Sequence, residues 1–158
     1  MASDEPYRQQ LGKLLDWEEA HVGFDKAVAD LPADLRGRQP PGLPYSVWQL
    51  VEHIRIAQHD ILDFSLNADY EEMKWPDDYW PKSPAPPSAE AWDASLEQIR
   101  RDLKALQQLA DDAKVDLTAR IPHGTGQTYM REVALIADHN AYHVGQIVLV
   151  RRLLGAWK

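Results

Sequence analysis

Eight of the 11 prolines fall in two clusters, Pro40, Pro41 and Pro44, then Pro76, Pro81, Pro84, Pro86 and Pro87. Proline lacks the backbone donor and clashes with the preceding helical turn, so neither cluster can lie inside a helix or a central strand. The chain is thereby cut into segments, and within them apolar residues recur at three- and four-residue intervals. That is a helical period, not a strand period.

Pro6 suits a first helical position, where its missing N–H costs nothing. Leu11, Leu14, Leu15, Trp17, Phe24 and Val28 then share a side, which predicts a first helix from Pro6 to Leu31, ended by Pro32. Ser46-Val47-Trp48-Gln49 has the form of a capping box, in which hydroxyl and amide satisfy the first backbone donors of a helix reciprocally. A second helix is therefore expected from Ser46 to about Leu66. After the connection Asn67 to Pro87, Ser88 can cap a third helix reaching about Ala110. Past a polar stretch, Asp111 to Gln127, Thr128 can cap a fourth that stops at Leu154 and Gly155. Four amphipathic helices with no strand pattern predict an all-α fold, a four-helix bundle with a long crossover between helices two and three. At 158 residues the chain suits one domain, 1–158.

Composition narrows the functions. Lys plus Arg is 17 and Asp plus Glu is 25, so the net charge is 17 − 25 = −8. An acidic chain is ill suited to a phosphate backbone, and no nucleic-acid partner is expected. No apolar run approaches the roughly 20 residues of a membrane span. The start, Met-Ala-Ser-Asp-Glu-Pro, lacks the basic and then apolar layout of an export signal, and the cytoplasm is the expected location. Zero cysteines exclude disulfides, thiolate ligands and a cysteine nucleophile.

The 6 histidines are unevenly placed. His139 and His143, four residues apart on the fourth helix, share one face with Ile136, Ile147, Val150 and Leu154, so both point inward. His53 lies at the edge of the apolar arc of the second helix, beside Leu50, Ala57 and Phe64. Inward histidines are either hydrogen-bonded core residues or ligands of a shared ion. Three unpartnered imidazoles in an apolar bundle would be costly to bury. Three neutral imidazoles with an open position are a known zinc arrangement. Asn140, not glutamate, follows His139, so the zinc-peptidase mechanism does not transfer.

Ser46-Val47-Trp48-Gln49-Leu50-Val51-Glu52-His53, together with Asp138-His139-Asn140-Ala141-Tyr142-His143-Val144-Gly145-Gln146-Ile147, resembles the DinB/YfiT-like superfamily. Helix order, the long crossover and the closing Arg-Arg-Leu-Leu-Gly agree with it. The resemblance implies a bundle, often dimeric, in which His53, His139 and His143 hold a divalent ion such as zinc or nickel. The superfamily includes thiol-dependent transferases and isomerases and proteins described as metal-dependent hydrolases.

Among other polar groups, Glu132, two turns before His139, and Gln146, one turn after His143, are placed to orient an imidazole or a water, although Glu132 equally suits the positive N-terminal end of its helix dipole. His21, on the arc of the first helix, is a candidate fourth ligand or proton shuttle. Asp60 lies two turns beyond His53 on its face. His59 reads as surface or interface, and His123 as a loop residue that could line an entrance. Trp75, Tyr79 and Trp80 could roof a pocket or meet a partner. Gly145 would allow close helix approach. Trp48, Val51 and Leu62 form a second apolar strip on helix two, the expected homodimer surface. The expected activity is hydrolysis of a small-molecule substrate. The alternatives are an S-transferase using a low-molecular-weight thiol and a non-catalytic, metal-stabilised binding module.

Overall fold

A computed structural model describes residues 4–157. Its helices are α1 (Glu5–Leu14), α2 (Phe24–Val28), α3 (Val47–Leu66), α4 (Ala89–Asp111) and α5 (Tyr129–Leu153). Among the described residues there is no strand, only an isolated antiparallel bridge between Arg120 and Thr128. The fold is all-α, as expected. No helix among these residues is long and apolar enough to cross a membrane.

The three long helices start where the sequence predicts. Ser46 Oγ accepts from the Gln49 amide at 3.2 Å, and Gln49 Oε1 accepts from the Ser46 amide at 3.1 Å, completing the capping box. Ser88 and Thr128 each accept from the amide three residues on, at 3.1 and 3.3 Å. Gly155, at φ 70°, turns the chain out of α5 in the left-handed region that glycine enters without strain.

The first predicted helix, Pro6 to Leu31, is broken. Regular structure stops at Leu14 and resumes only at Phe24, after Gly23 in an extended conformation. The break lets two short helices serve two places. α1 packs on α4 and α2 on α5, so Leu15 joins one apolar cluster while Ala27, Val28 and Leu31 join another. Leu14 and Trp17, counted on the inward arc, are each 39% exposed. α1 is held instead by buried Arg8, whose guanidinium donates to the carbonyls of Ala110 (3.2 Å), Asp112 (3.0 Å) and Val115 (2.6 Å) around the C-terminus of α4. A cation there also meets the negative end of the helix dipole.

The predicted dimer strip is internal. Trp48, Val51 and Leu62 are all buried, because the side of α3 that carries them is covered too. α4 and α5 flank it, the Leu31–Tyr45 segment packs Leu35, Leu43 and Tyr45 against the core, and Trp48 lies 6.3 Å from Trp92. The homodimer expectation loses the surface it was built on. Gly145 is exposed with no atom within 4 Å of a built Cβ, so no helix approaches there either.

The core is divided. One cluster takes Val47–Ile54 of α3, Trp92–Ile99 of α4 and Val144–Val150 of α5. The other takes Leu62, Leu106–Ala110 and Val133–Ile136. Between them runs a polar seam containing His53, Gln58, Asn140 and His143.

Candidate metal centre

Burial of imidazoles in that seam demands partners, and each ring finds one on its Nδ1 side. His53 Nδ1 lies 2.9 Å from the Tyr79 carbonyl, which can only accept, so this nitrogen carries the hydrogen. His143 Nδ1 lies 2.6 Å from Gln146 Oε1. His139 Nδ1 lies 3.4 Å from Asn140 Oδ1, a longer contact whose sense is fixed from a distance. Gln58 Nε2 donates to the Ile99 carbonyl at 2.7 Å, leaving Gln58 Oε1 to accept from Asn140 Nδ2 at 2.7 Å, which in turn leaves Asn140 Oδ1 for His139.

A neutral imidazole has one N–H. With all three hydrogens on Nδ1, the three Nε2 atoms present lone pairs. They converge: the candidate ligand atoms of His53, His139 and His143 all lie within 4.8 Å of one another, and the Nε2 atoms of His53 and His139 are 3.1 Å apart. Two nitrogens bound at about 2.0–2.1 Å to one ion stand about 2.8–3.4 Å apart at right or tetrahedral angles. The His53–His139 separation is that of two ligands on one ion, and the third ring is near enough that the set could hold a divalent ion. Burial also lowers the pKa of all three rings, most for His143, which is pushed down to about 4 with the neighbouring His139 adding to the effect. Neutral imidazole is the form that ligates.

These rings lie within a matched region. A family model for the DinB superfamily covers residues 16–147. The chain belongs to the DinB superfamily. No curated protein and no solved structure matches it.

In this DinB chain the crossover lies against the site. Trp80 stacks on His53 with centroids 3.9 Å apart and planes 6° from parallel, and Tyr142 meets His143 edge-on at 4.9 Å. Trp75, Tyr79, Trp80 and Tyr142 line a cavity of about 600 Å³ together with the three histidines. Trp75, Tyr79 and Trp80, expected to roof a pocket or meet a partner, line this cavity, Trp75 from an exposed position. Two carboxylates, Asp60 and Asp138, share that lining, and no lysine or arginine does among the described residues.

The other candidates separate. Gln146 holds His143, as its spacing suggests. Glu132 is 2% exposed and pairs with Arg131 at 2.5 Å, but it lines a neighbouring cavity of about 440 Å³ with Asp60, His123 and Arg131. Seven helical residues put it about 10 Å along the axis from His139, so sharing a face is not sharing a site. His21 does not reach the bundle centre. Its helix ended seven residues earlier, and it is exposed, with Nδ1 3.0 Å from the Val22 carbonyl. His59 is on the surface against buried Asp102 at 3.1 Å. His123 reaches the Phe64 carbonyl at 2.7 Å and lines the 440 Å³ cavity. The Tyr79 carbonyl and the Gln58–Asn140 pair have no counterpart among the sequence candidates. A backbone acceptor has no side-chain signature. Gln58 has one, as a glutamine among the apolar positions of α3.

Proposed function

We propose that this protein is a metal-dependent hydrolase of a small-molecule substrate, with His53, His139 and His143 holding a divalent ion, zinc or nickel by the borderline softness of imidazole. The observation that carries this reading is that ligand nitrogens of His53, His139 and His143 lie within 4.8 Å of one another beside a cavity. A divalent ion with three neutral ligands keeps its full charge, and in an open position it would acidify a water or polarise a carbonyl. The chain's own groups do the rest. The Tyr79 carbonyl, Asn140 and Gln146 fix the rings, Trp80 covers the His53 ring, and the cavity is of a size that takes a small ligand.

The same open position would serve an external thiol in an S-transferase. The carboxylates of such a cofactor would want cations, and the cavity supplies Asp60 and Asp138 instead. Hydrolysis is favoured for that reason. The deciding experiment uses protein purified without a polyhistidine tag, assayed for metal content and against esters, lactones and amides with and without small thiols. One divalent ion per chain is expected, with thiol-independent turnover that His139→Ala abolishes. Turnover only with a thiol would establish the transferase. Bound metal with no turnover on any substrate would point to a binding module, and metal-free protein would overturn the site.

A further inference from the structure

His53 is the one candidate ligand whose acceptor comes from outside the helices. Its Nδ1–H donates to the carbonyl of Tyr79, 26 residues away in a crossover with no helix or strand. An irregular segment does not hold a carbonyl to a fraction of an ångström by itself. The fastening is on the side chain of the same residue. Tyr79 Oη donates to Asp60 Oδ2 at 2.6 Å, while Tyr70 Oη donates to Asp60 Oδ1 at 2.8 Å. Asp60 lies on α3, two turns beyond His53, and is 9% exposed. Short hydrogen bonds to a carboxylate are among the strong ones. Burial and the adjacent carboxylate push both tyrosines' pKa upward, which keeps their hydroxyls protonated as donors.

We propose that Asp60 is a positioning residue for the metal centre: through the Tyr79 hydroxyl it holds the Tyr79 carbonyl on His53 Nδ1, and so keeps the His53 lone pair on Nε2, facing the other two rings. The inference rests on the metal-site reading for its consequence but not for its geometry. The circuit runs from His53 along α3 to Asp60, across to the Tyr79 ring, and through the Tyr79 main chain back to His53. One helix thereby carries both a ligand and the anchor of that ligand's orienting group. The next residue, Trp80, is carried onto the His53 ring by the same fastening. Tyr70 occupies the other carboxylate oxygen and touches no ligand, which makes it the internal control.

The test compares Asp60→Asn, Tyr79→Phe, their double variant and Tyr70→Phe in the full chain, with two readouts. The first is zinc affinity by competition with a chromophoric chelator. Losing a group that orients a ligand histidine weakens metal binding about 10- to 100-fold. Asp60→Asn and Tyr79→Phe are each expected to do so, the double variant no more than the stronger single one, and Tyr70→Phe by less than about 2-fold. The second is the tautomer of His53 in metal-free protein, from nitrogen-15 NMR of the ring. It is expected to be Nδ1–H in the wild type and in Tyr70→Phe, and mixed in the other variants. A His53 that stays Nδ1–H in both Asp60→Asn and Tyr79→Phe overturns the proposal, as do additive losses in the double variant. Wild-type protein that binds no zinc defeats the metal reading alone, since the tautomer still decides the role of Asp60.

Discussion

The Nε2 atoms of His53 and His139 face each other at 3.1 Å. With both ring hydrogens on Nδ1, two lone pairs would meet at that distance, and a cation between them would replace their repulsion with two bonds. Zinc should therefore stabilise the fold. At one hundred times its Kd a ligand specific for the native state contributes about 2.7 kcal/mol, which in a chain of this size raises Tm by about 5–10 °C. Differential scanning calorimetry with and without zinc checks this. His53→Ala should abolish the rise, and a wild-type Tm indifferent to zinc would contradict the site.

Gln146 accepts from His143 Nδ1 at 2.6 Å. Gln146→Leu removes the acceptor and leaves the ring free to turn, so zinc affinity should fall about 10-fold. Gln146→Glu, which keeps an acceptor and adds charge, should bind at least as tightly as the wild type. Isothermal titration of the two variants separates this from a packing effect, which would weaken both.

Gln58 has no solvent exposure and ties the Ile99 carbonyl to Asn140. Gln58→Leu would leave the half-buried Asn140 amide without its acceptor, a cost of about 1 kcal/mol. Urea denaturation of the metal-free protein should show that loss. Asn140 would also lose its fixed orientation, so zinc affinity should drop with stability. Unchanged affinity would mean that His139 is oriented by packing alone.

Acid should weaken the metal-free protein. The pKa of each site histidine is lowered in the folded state from 6.5, that of His143 to about 4. Between those values the unfolded chain binds more protons than the folded one, so the stability held by the neutral rings is complete above pH 6.5 and is lost as pH falls toward 4. The urea midpoint is expected to decline across that window, and His143→Asn to flatten the decline. An equally steep fall in the variant would assign the effect to other groups.

Much of this was legible in the sequence because it is written in local chemistry. Ser46, Ser88 and Thr128 cap helices through contacts three residues away, and the four-residue spacing of His139 and His143 leaves their relation no freedom within a helix. What was not legible depends on neighbours. A helical wheel gives a residue's angle but not how many elements surround the helix, which is why Trp48 and Val51 read as surface on an α3 whose N-terminal half is enclosed. It also gives angle without axial distance, which put Glu132 near a centre it does not reach. The first helix kept its apolar period through Leu14 and Trp17, and its interruption is set by two separate clusters in the core that a single straight rod would not serve.

The group that orients His53 is a main-chain carbonyl, and no amino-acid replacement can delete a main-chain carbonyl. Mutation at position 79 can shift that oxygen but never remove it, whereas a single base change can erase the amide of Gln146. Damage at His53 should therefore be graded and repairable by restoring the loop's course, and variants of the crossover should yield a continuum of metal affinities in place of an on–off response.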